Sequence, residues 1–358
     1  MRLALTTGGG DAPGLNAAIK AVVMTALEGG DDVLGIRCGY DGLLGDEGVV
    51  ELDRAAVRGI AHRGGTIIGT TNHGNPFAWP VETAEGSVER DRSDELVAAL
   101  TRQGVDALVA IGGDGSLAIA AQLANKGVNV VGIPKTIDND VGGTVHTFGF
   151  NTAVFVATQA LDRLHSTAEA HRRVLVVEVM GRHAGWIALH AGIAGSADVI
   201  LLPEIEYSLD SVCAKVSERE RMGRRFSIVV VAEGACPVAG HEHYVEPEHA
   251  GHAARLGGIA EIVADGIERG TGKETRTVVL GHLQRGGPPT SFDRLLALRF
   301  GAAAVRAARQ GAFGTMVSYQ PPEVTIVPLA EAVGPPRQIP LGSDTVATAR
   351  DLGICLGD

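Results

Sequence analysis

Four cysteines in 358 residues, Cys38, Cys213, Cys236 and Cys355, are few and far apart. They form no CxxC and no Cys/His spacing, which excludes a zinc-ribbon or disulfide framework and leaves ordinary thiols of a reducing compartment. Uninterrupted apolar runs of about 18 residues, the length that spans a bilayer, are missing too. The first residues, Met1–Thr6, run straight into glycines without a signal-peptide apolar region, so a cytoplasmic protein with no membrane partner is expected. Cations are the minority: 31 Lys and Arg against 42 Asp and Glu give a net charge of −11. Such a field argues against nucleic acid as a partner, and any anionic ligand must be met by local clusters of Arg and His. GxxxxGK[ST] is absent, which excludes a P-loop protein. There is no tandem repeat, low-complexity tract or long linker.

What is present is an ordinary globular composition, 45% hydrophobic and 20% charged, long enough for one large or two closely linked domains. Short apolar or β-branched runs alternate with helical patterns. Strands are expected at 2–6, 32–37, 107–111, 128–133, 174–180, 228–232 and 277–280. Helices are expected at 15–27, 93–103, 117–124, 150–164, 184–194, 252–268 and 291–309. This rhythm is that of an α/β fold with mainly parallel sheets and helices on both faces, whose ligands bind at the carboxyl ends of strands. The tail after Gln320 reads as irregular wrapping.

Three loops follow predicted strands. Gly8-Gly9-Gly10-Asp11-Ala12-Pro13-Gly14 lets backbone N–H groups approach an anion at a helix start, although a tight βα turn would need the same glycines. Gly112-Gly113-Asp114-Gly115-Ser116 sets a carboxylate inside a phosphate-type loop. Such a group is repulsive toward phosphate unless a cation lies between, so Asp114 is a candidate for holding Mg²⁺ on donor phosphates; the plain alternative is a helix cap. Pro134-Lys135-Thr136-Ile137-Asp138-Asn139-Asp140 places Thr136, Asp138 and Asp140 at alternate positions. One carboxylate can take the proton of an acceptor hydroxyl while another organises metal or base.

Cations recur near strand ends: Arg172-Arg173, Met180-Gly181-Arg182, Arg276, and Gly281-His282-Leu283-Gln284-Arg285-Gly286-Gly287. The planar Arg fork suits phosphate oxygens, and Glu233, after the 228–232 strand, can accept from sugar hydroxyls. Singly, each is an ordinary surface charge; recurrence in an acidic chain points to an anion site.

Together the strings GGGDAPGLNAAI, GYDGLL, IGGDGS, PKTIDND, VVEVMGRHAGWIAL, VAEGA, ETRTVVLGHLQRGG and FDRLLALRFGAAA resemble the phosphofructokinase family, in family order over roughly residues 1–305. The resemblance implies two Rossmann-like three-layer domains: residues 1–149 with 284–334 binding the donor, and 150–283 with 335–358 binding sugar phosphate. It implies transfer of a phosphoryl group to the 1-hydroxyl of fructose 6-phosphate by a homotetramer or homodimer with shared sites. By resemblance, Asp138 is the base beside Thr136, Asp140 supports the metal region, and Asp114 holds Mg²⁺. Gly10, Tyr40, Gly113, Asp114, Gly115 and Ser116 line the donor site. Met180, Gly181, Arg182 and Glu233 hold the sugar, His282 and Arg285 its 6-phosphate, and Arg173 and Arg276 reach the acceptor from a neighbouring subunit.

Two positions speak to the donor. Gly115 leaves room for the α-phosphate and nucleoside of ATP, where an aspartate would crowd and repel them. Lys135 resembles the pyrophosphate users, because a lysine can reach a short donor as a point charge. Steric exclusion is the harder constraint, so ATP is the expected donor and pyrophosphate the alternative. A non-catalytic sugar-phosphate sensor is the rival from another class, supported only by Asn72 and His73, which stand where the regulated bacterial enzymes carry an arginine. A neutral His supplies less charge.

Overall fold

A computed structural model describes residues 1–83, 86–238, 240, 244–246 and 255–358. The chain divides into two compact units, Met1–Asn151 with Arg285–Pro336, and Thr152–Gln284 with Arg337–Asp358.

In the first unit the sheet runs, in spatial order, Glu323–Pro328, Thr315–Gln320, Val130–Thr136, Ala107–Gly112, Arg2–Thr7, Asp32–Ile36 and Val49–Glu51. The inner pairings are parallel; the outermost strand at each edge is antiparallel to its neighbour. The side-chain period of two assigns each strand residue to a face. Leu3, Leu5, Val109 and Ile111 pack with Ile19 and Val22 of the helix Leu15–Glu28 and Phe300 of the helix Ser291–Arg309. Ala4, Leu108 and Ala110 face the other way, onto Leu96, Leu100, Leu117 and Leu123. The two helices of the first face approach so closely that a Cβ on Gly301 would lie 2.5 Å from the Ala18 carbonyl oxygen. Thr290 caps the second of them by accepting from the Asp293 N–H. Removing the fully buried Phe300 ring would cost about 3–5 kcal/mol.

Strand order reverses at Arg2–Thr7. The connection after it leads to one neighbour, Asp32–Ile36, while Ala107–Gly112 lies on its other side. The following helices, Leu15–Glu28 and Asp114–Asn125, therefore pack on opposite faces and open a crevice at the carboxyl ends of the two strands.

The second unit holds four parallel strands in the order Val199–Leu201, Ser227–Ala232, Val174–Val179, Thr275–Val279. The central two, SIVVVA and VLVVEV, are buried along their whole length, as a sheet covered on both faces requires. Val174, Val176, Val229 and Val231 pack against Val212, Val216, Val263 and Ile267 of two helices, Leu209–Arg221 and Ile259–Thr271. The one carboxylate in these two strands, Glu178, accepts the Ala260 N–H at 3.0 Å, where the second helix begins. Burial holds its carboxyl above the usual range, against the hydrogen bonds that lower it.

Several elements differ from expectation. The helix expected from Leu117 begins at Asp114, so 114–116 are its first turn and not a loop. The strand expected at 128–133 runs from Val130 to Thr136 and carries Lys135. The 252–268 helix begins at Ile259, and Arg255–Leu256 are strand; positions 252–254 lie outside the described residues. The tail is not irregular throughout: it contains the edge strand Glu323–Pro328 and the helix Asp344–Asp351, capped by Ser343 accepting from the Val346 N–H. Among the described residues, no helix is long and apolar enough to cross a membrane.

Candidate active site

In the first unit, the loops after Arg2–Thr7, Ala107–Gly112 and Val130–Thr136 converge with the segment 69–73. The Gly8 N–H donates to the Ile111 carbonyl and the Gly9 N–H to that of Thr71, both at 2.9 Å. The Thr70 hydroxyl donates to the Gly9 carbonyl at 2.7 Å, and that of Thr7 to Gly69 at 2.5 Å. The glycines at the seam have steric reasons: a Cβ on Gly112 would sit 2.2 Å from the Ser116 Cβ, and one on Gly8 2.7 Å from the Ser116 Oγ. Gly113 occupies the cap position in an extended conformation, so Asp114 is the first helical residue and not the cap. The N–H groups of this first turn have no carbonyl within the helix to receive them, and the helix dipole adds positive potential. Asp114 and Gly115 are exposed there, and a Cβ on Gly115 meets nothing within 4 Å.

Lys135 is buried, 3% exposed, and its ammonium donates to the Gly10 carbonyl. Loss of solvation, with the Arg285 guanidinium second, pushes its pKa down to about 8. Arg285 reaches the same loop: its Nη1 donates to the Asp11 carbonyl at 3.1 Å, and a Cβ on Gly10 would lie 2.7 Å from that nitrogen. Thus Gly10, Lys135 and Arg285 form one cationic corner beneath the glycine loop.

The strand ends at Thr136, so the alternation of Thr136, Asp138 and Asp140 is not a strand's: Asn139 takes a left-handed φ of 55°. The turn is fixed by its own polar groups. The Asp138 N–H donates to the Thr136 hydroxyl at 3.1 Å, the Thr147 hydroxyl to the Thr136 carbonyl at 2.7 Å, and the Thr147 N–H to Asn139 Oδ1 at 3.0 Å. Asp140 is 8% exposed. Burial first, then the charges of Asp138 and Asp114, push its carboxyl up to about 7. Asp140 therefore feels two further carboxylates, Asp138 and Asp114, at the end of this strand. Among the described residues no group of three His, Cys, Asp or Glu forms a metal cage. Hard divalent cations that bind phosphates commonly take only one or two carboxylates from protein and the remaining oxygens from ligand and water.

Tyr40 lies in the core, 7% exposed, and burial raises its phenol. Asn72 and His73 are exposed, the His73 N–H donating to the Thr71 hydroxyl at 3.0 Å. Burial and then the Glu47 charge raise the Asp41 carboxyl, and its Oδ1 lies 3.0 Å from where a Gly74 Cβ would stand. The sequence reading missed this acid; its only signal was its place beside Tyr40.

The second unit brings together a different set. Met180, Gly181 and Arg182 leave the carboxyl end of Val174–Val179, and Glu233 leaves that of Ser227–Ala232 beside it. The two segments clasp: the Glu233 N–H donates to Val179 at 2.9 Å, the Gly181 N–H to Glu233 Oε1 at 3.4 Å, and the Gly234 N–H to Gly181 at 3.2 Å. A Cβ on Gly234 would strike the Arg182 carbonyl oxygen at 2.0 Å. His282, exposed in the turn Gly281–Gln284, follows the carboxyl end of Thr275–Val279. Arg173 and Arg276 do not join this set. Arg173 precedes Val174 and Arg276 is the second residue of its strand, so both lie at the amino edge of the sheet. The six residues Val174–Val179 separate Arg173 from Met180, seven steps of strand or about 23 Å.

A cationic corner, a carboxylate trio and a helix start at a strand-reversal crevice are the equipment of phosphoryl transfer. The sequence model of the family described as phosphofructokinase matches residues 2–308. The chain belongs to the phosphofructokinase family. It is 52% identical over 357 residues to the ATP-dependent 6-phosphofructokinase of Chloroflexus aggregans, covering 100% of this chain and 98% of that protein. It is 50% identical over 346 residues to the pyrophosphate–fructose 6-phosphate 1-phosphotransferase of Amycolatopsis mediterranei, covering 95% of this chain and 97% of that protein. Among solved phosphofructokinases, that of Pichia pastoris in the T-state superposes with a TM-score of 0.80 at 33% identity, over 99% of this chain and 37% of the yeast chain. The chain thus spans little more than a third of that larger phosphofructokinase, but nearly the full length of its bacterial relatives. It is a phosphotransferase.

Proposed function

We propose that this phosphofructokinase transfers the terminal phosphoryl group of ATP to the 1-hydroxyl of fructose 6-phosphate, the committed phosphorylation of glycolysis, in the cytoplasm. The observation that carries ATP is the open space at Gly115. In the first turn after Asp114 nothing stands where a side chain would be, so an α-phosphate and nucleoside are not obstructed. The closeness in sequence to the Chloroflexus enzyme supports the same reading.

In the first unit, Gly10, Asn72, His73, Gly113, Asp114, Gly115 and Ser116 hold the donor. Tyr40 backs this region from the core rather than presenting a face. Asp114 is the protein ligand of Mg²⁺, with Asp140 beside it. The charges of Asp138 and Asp114, second to burial in raising the Asp140 carboxyl, are what a divalent cation would relieve, which supports this reading. When bound, Mg²⁺ supplies charge neutralisation on the donor oxygens. Asp138, held by the Thr136 hydroxyl, takes the proton of the attacking sugar hydroxyl. The Arg285 guanidinium and the Lys135 ammonium supply positive charge at Gly10. In the second unit, Met180, Gly181, Arg182 and Glu233 hold the sugar, and His282 meets its 6-phosphate. Arg182 also stabilises charge that develops on the transferred group. Arg173 and Arg276, at the opposite edge of the sheet, serve the acceptor site of a neighbouring protomer in a homodimer or homotetramer.

Pyrophosphate is the second reading, favoured by the buried ammonium of Lys135 against the donor loop. Asp138→Asn tests the assignment of the base. Production of fructose 1,6-bisphosphate should fall by about 10²–10⁴ in kcat with little change in either KM. A loss of less than tenfold would remove Asp138 from that role.

A further inference from the structure

We infer that Glu274 is a positioning residue for fructose 6-phosphate, bridging Arg173 and Arg276 so that their guanidinium forks are ordered before the sugar phosphate arrives. The inference rests on the proposed role of the two arginines, and it adds a residue to which no role has so far been given.

The arrangement follows from strand geometry. Arg173 and Glu274 stand side by side at the start of two parallel strands: the Val174 N–H donates to the Glu274 carbonyl at 3.0 Å, and Thr275 and Arg276 pair with Val174 and Leu175. Residues in register on parallel strands share a face, as do residues two apart on one strand. The side chains of Arg173, Glu274 and Arg276 are therefore delivered to one face at the amino edge of the sheet. The carboxylate is divided between the arginines: Oε2 takes the Arg173 Nε at 2.8 Å and Oε1 takes an Arg276 Nη at 2.5 Å. Arg276 is held a second time, its Nη1 donating to the Thr275 carbonyl at 2.9 Å. The groups facing Glu274 are Arg173, Arg276 and His171, and the Arg173 hydrogen bond leads in holding the carboxyl below its usual range.

Glu274 accepts one N–H from Arg276 and meets Arg173 as an ion pair through Nε alone, while each guanidinium has five N–H groups. Donors remain for a phosphate, so the carboxylate orders the forks without occupying them. It also separates two like charges that would otherwise repel at close range. Both arginines carry long, partly exposed side chains with much rotamer freedom, and ordering them in advance removes a cost that binding would otherwise bear.

The test is steady-state kinetics of Glu274→Gln, Arg173→Ala, Arg276→Ala and the Gln variant in each Ala background, with fructose 6-phosphate varied. Glu274→Gln should raise the KM for fructose 6-phosphate by about three- to tenfold, the loss of ordering in one or two such side chains. The KM for ATP and kcat should stay within twofold, a split that general loss of structure would not give. In the Arg173→Ala or Arg276→Ala background the Gln substitution should have at most half that effect. If the Ala variants raise this KM and Glu274→Gln leaves it unchanged or lowers it, the arginines bind substrate and the inference about Glu274 is wrong. If the Ala variants leave it unchanged, the arginines do not serve the sugar phosphate, and the inference fails with that reading.

Discussion

Replacing Asp140 by Asn should stabilise the free protein at pH 8 and leave it unchanged at pH 4. The carboxyl titrates at about 7 in the folded chain, against 3.8 for an unperturbed one, because it is buried beside Asp138 and Asp114. Between these values the unfolded state has released the proton and the folded state keeps it. Folding stability therefore falls as pH rises through the window, and the cost is complete above about pH 7. A displacement of about three units at 1.36 kcal/mol each gives a cost on the order of 4 kcal/mol, spread over the three acids. An amide of nearly the same shape carries no charge, so the Asn variant escapes its share. Urea unfolding of both proteins at pH 4, 6 and 8, without Mg²⁺ or nucleotide, reads the difference. A variant of equal or lower stability at pH 8, or a gain independent of pH, would refute the electrostatic account of the trio.

The open space at Gly115 predicts that Gly115→Asp keeps the fold, with a melting temperature within a few degrees, while ATP turnover falls at least a hundredfold; unchanged ATP kinetics would show that position 115 does not face the nucleotide. Gly112→Ala should do the reverse, destabilising the protein by about 2 kcal/mol or more, because its Cβ would overlap the Ser116 side chain at 2.2 Å. Calorimetry distinguishes the two. His73→Arg should raise turnover at alkaline pH, where the guanidinium remains charged; an unchanged pH profile would remove His73 from the mechanism.

The parallel core was legible because its signals are local. VLVVEV and SIVVVA are continuous buried strands, and the Gly-rich loops announce where a backbone must pass close to something else. The helix expected at 291–309 is the helix Ser291–Arg309. What was not legible depends on partners distant in sequence. Glu323–Pro328 is short, largely exposed and bounded by prolines, and it forms a strand by pairing antiparallel with Thr315–Gln320. Asp114–Ser116 reads as loop because glycine and aspartate are weak helix formers, yet an N-terminal first turn tolerates both. In the site, residue types pointed to phosphate chemistry but not to placement. Arg173 and Arg182 both stand near a strand end; only the topology shows that they lie at opposite ends of the same strand. Arg285 belongs with Gly10 and Lys135 through contacts spanning most of the chain, and nothing near it in sequence indicates this.

The choice of donor is the central claim, and one assay tests it most directly: formation of fructose 1,6-bisphosphate from fructose 6-phosphate and Mg²⁺ with ATP or pyrophosphate, side by side. The open first turn at Gly115 predicts robust turnover with ATP, exceeding that with pyrophosphate. Robust turnover with pyrophosphate and none with ATP would contradict it and assign the donor to Lys135 instead.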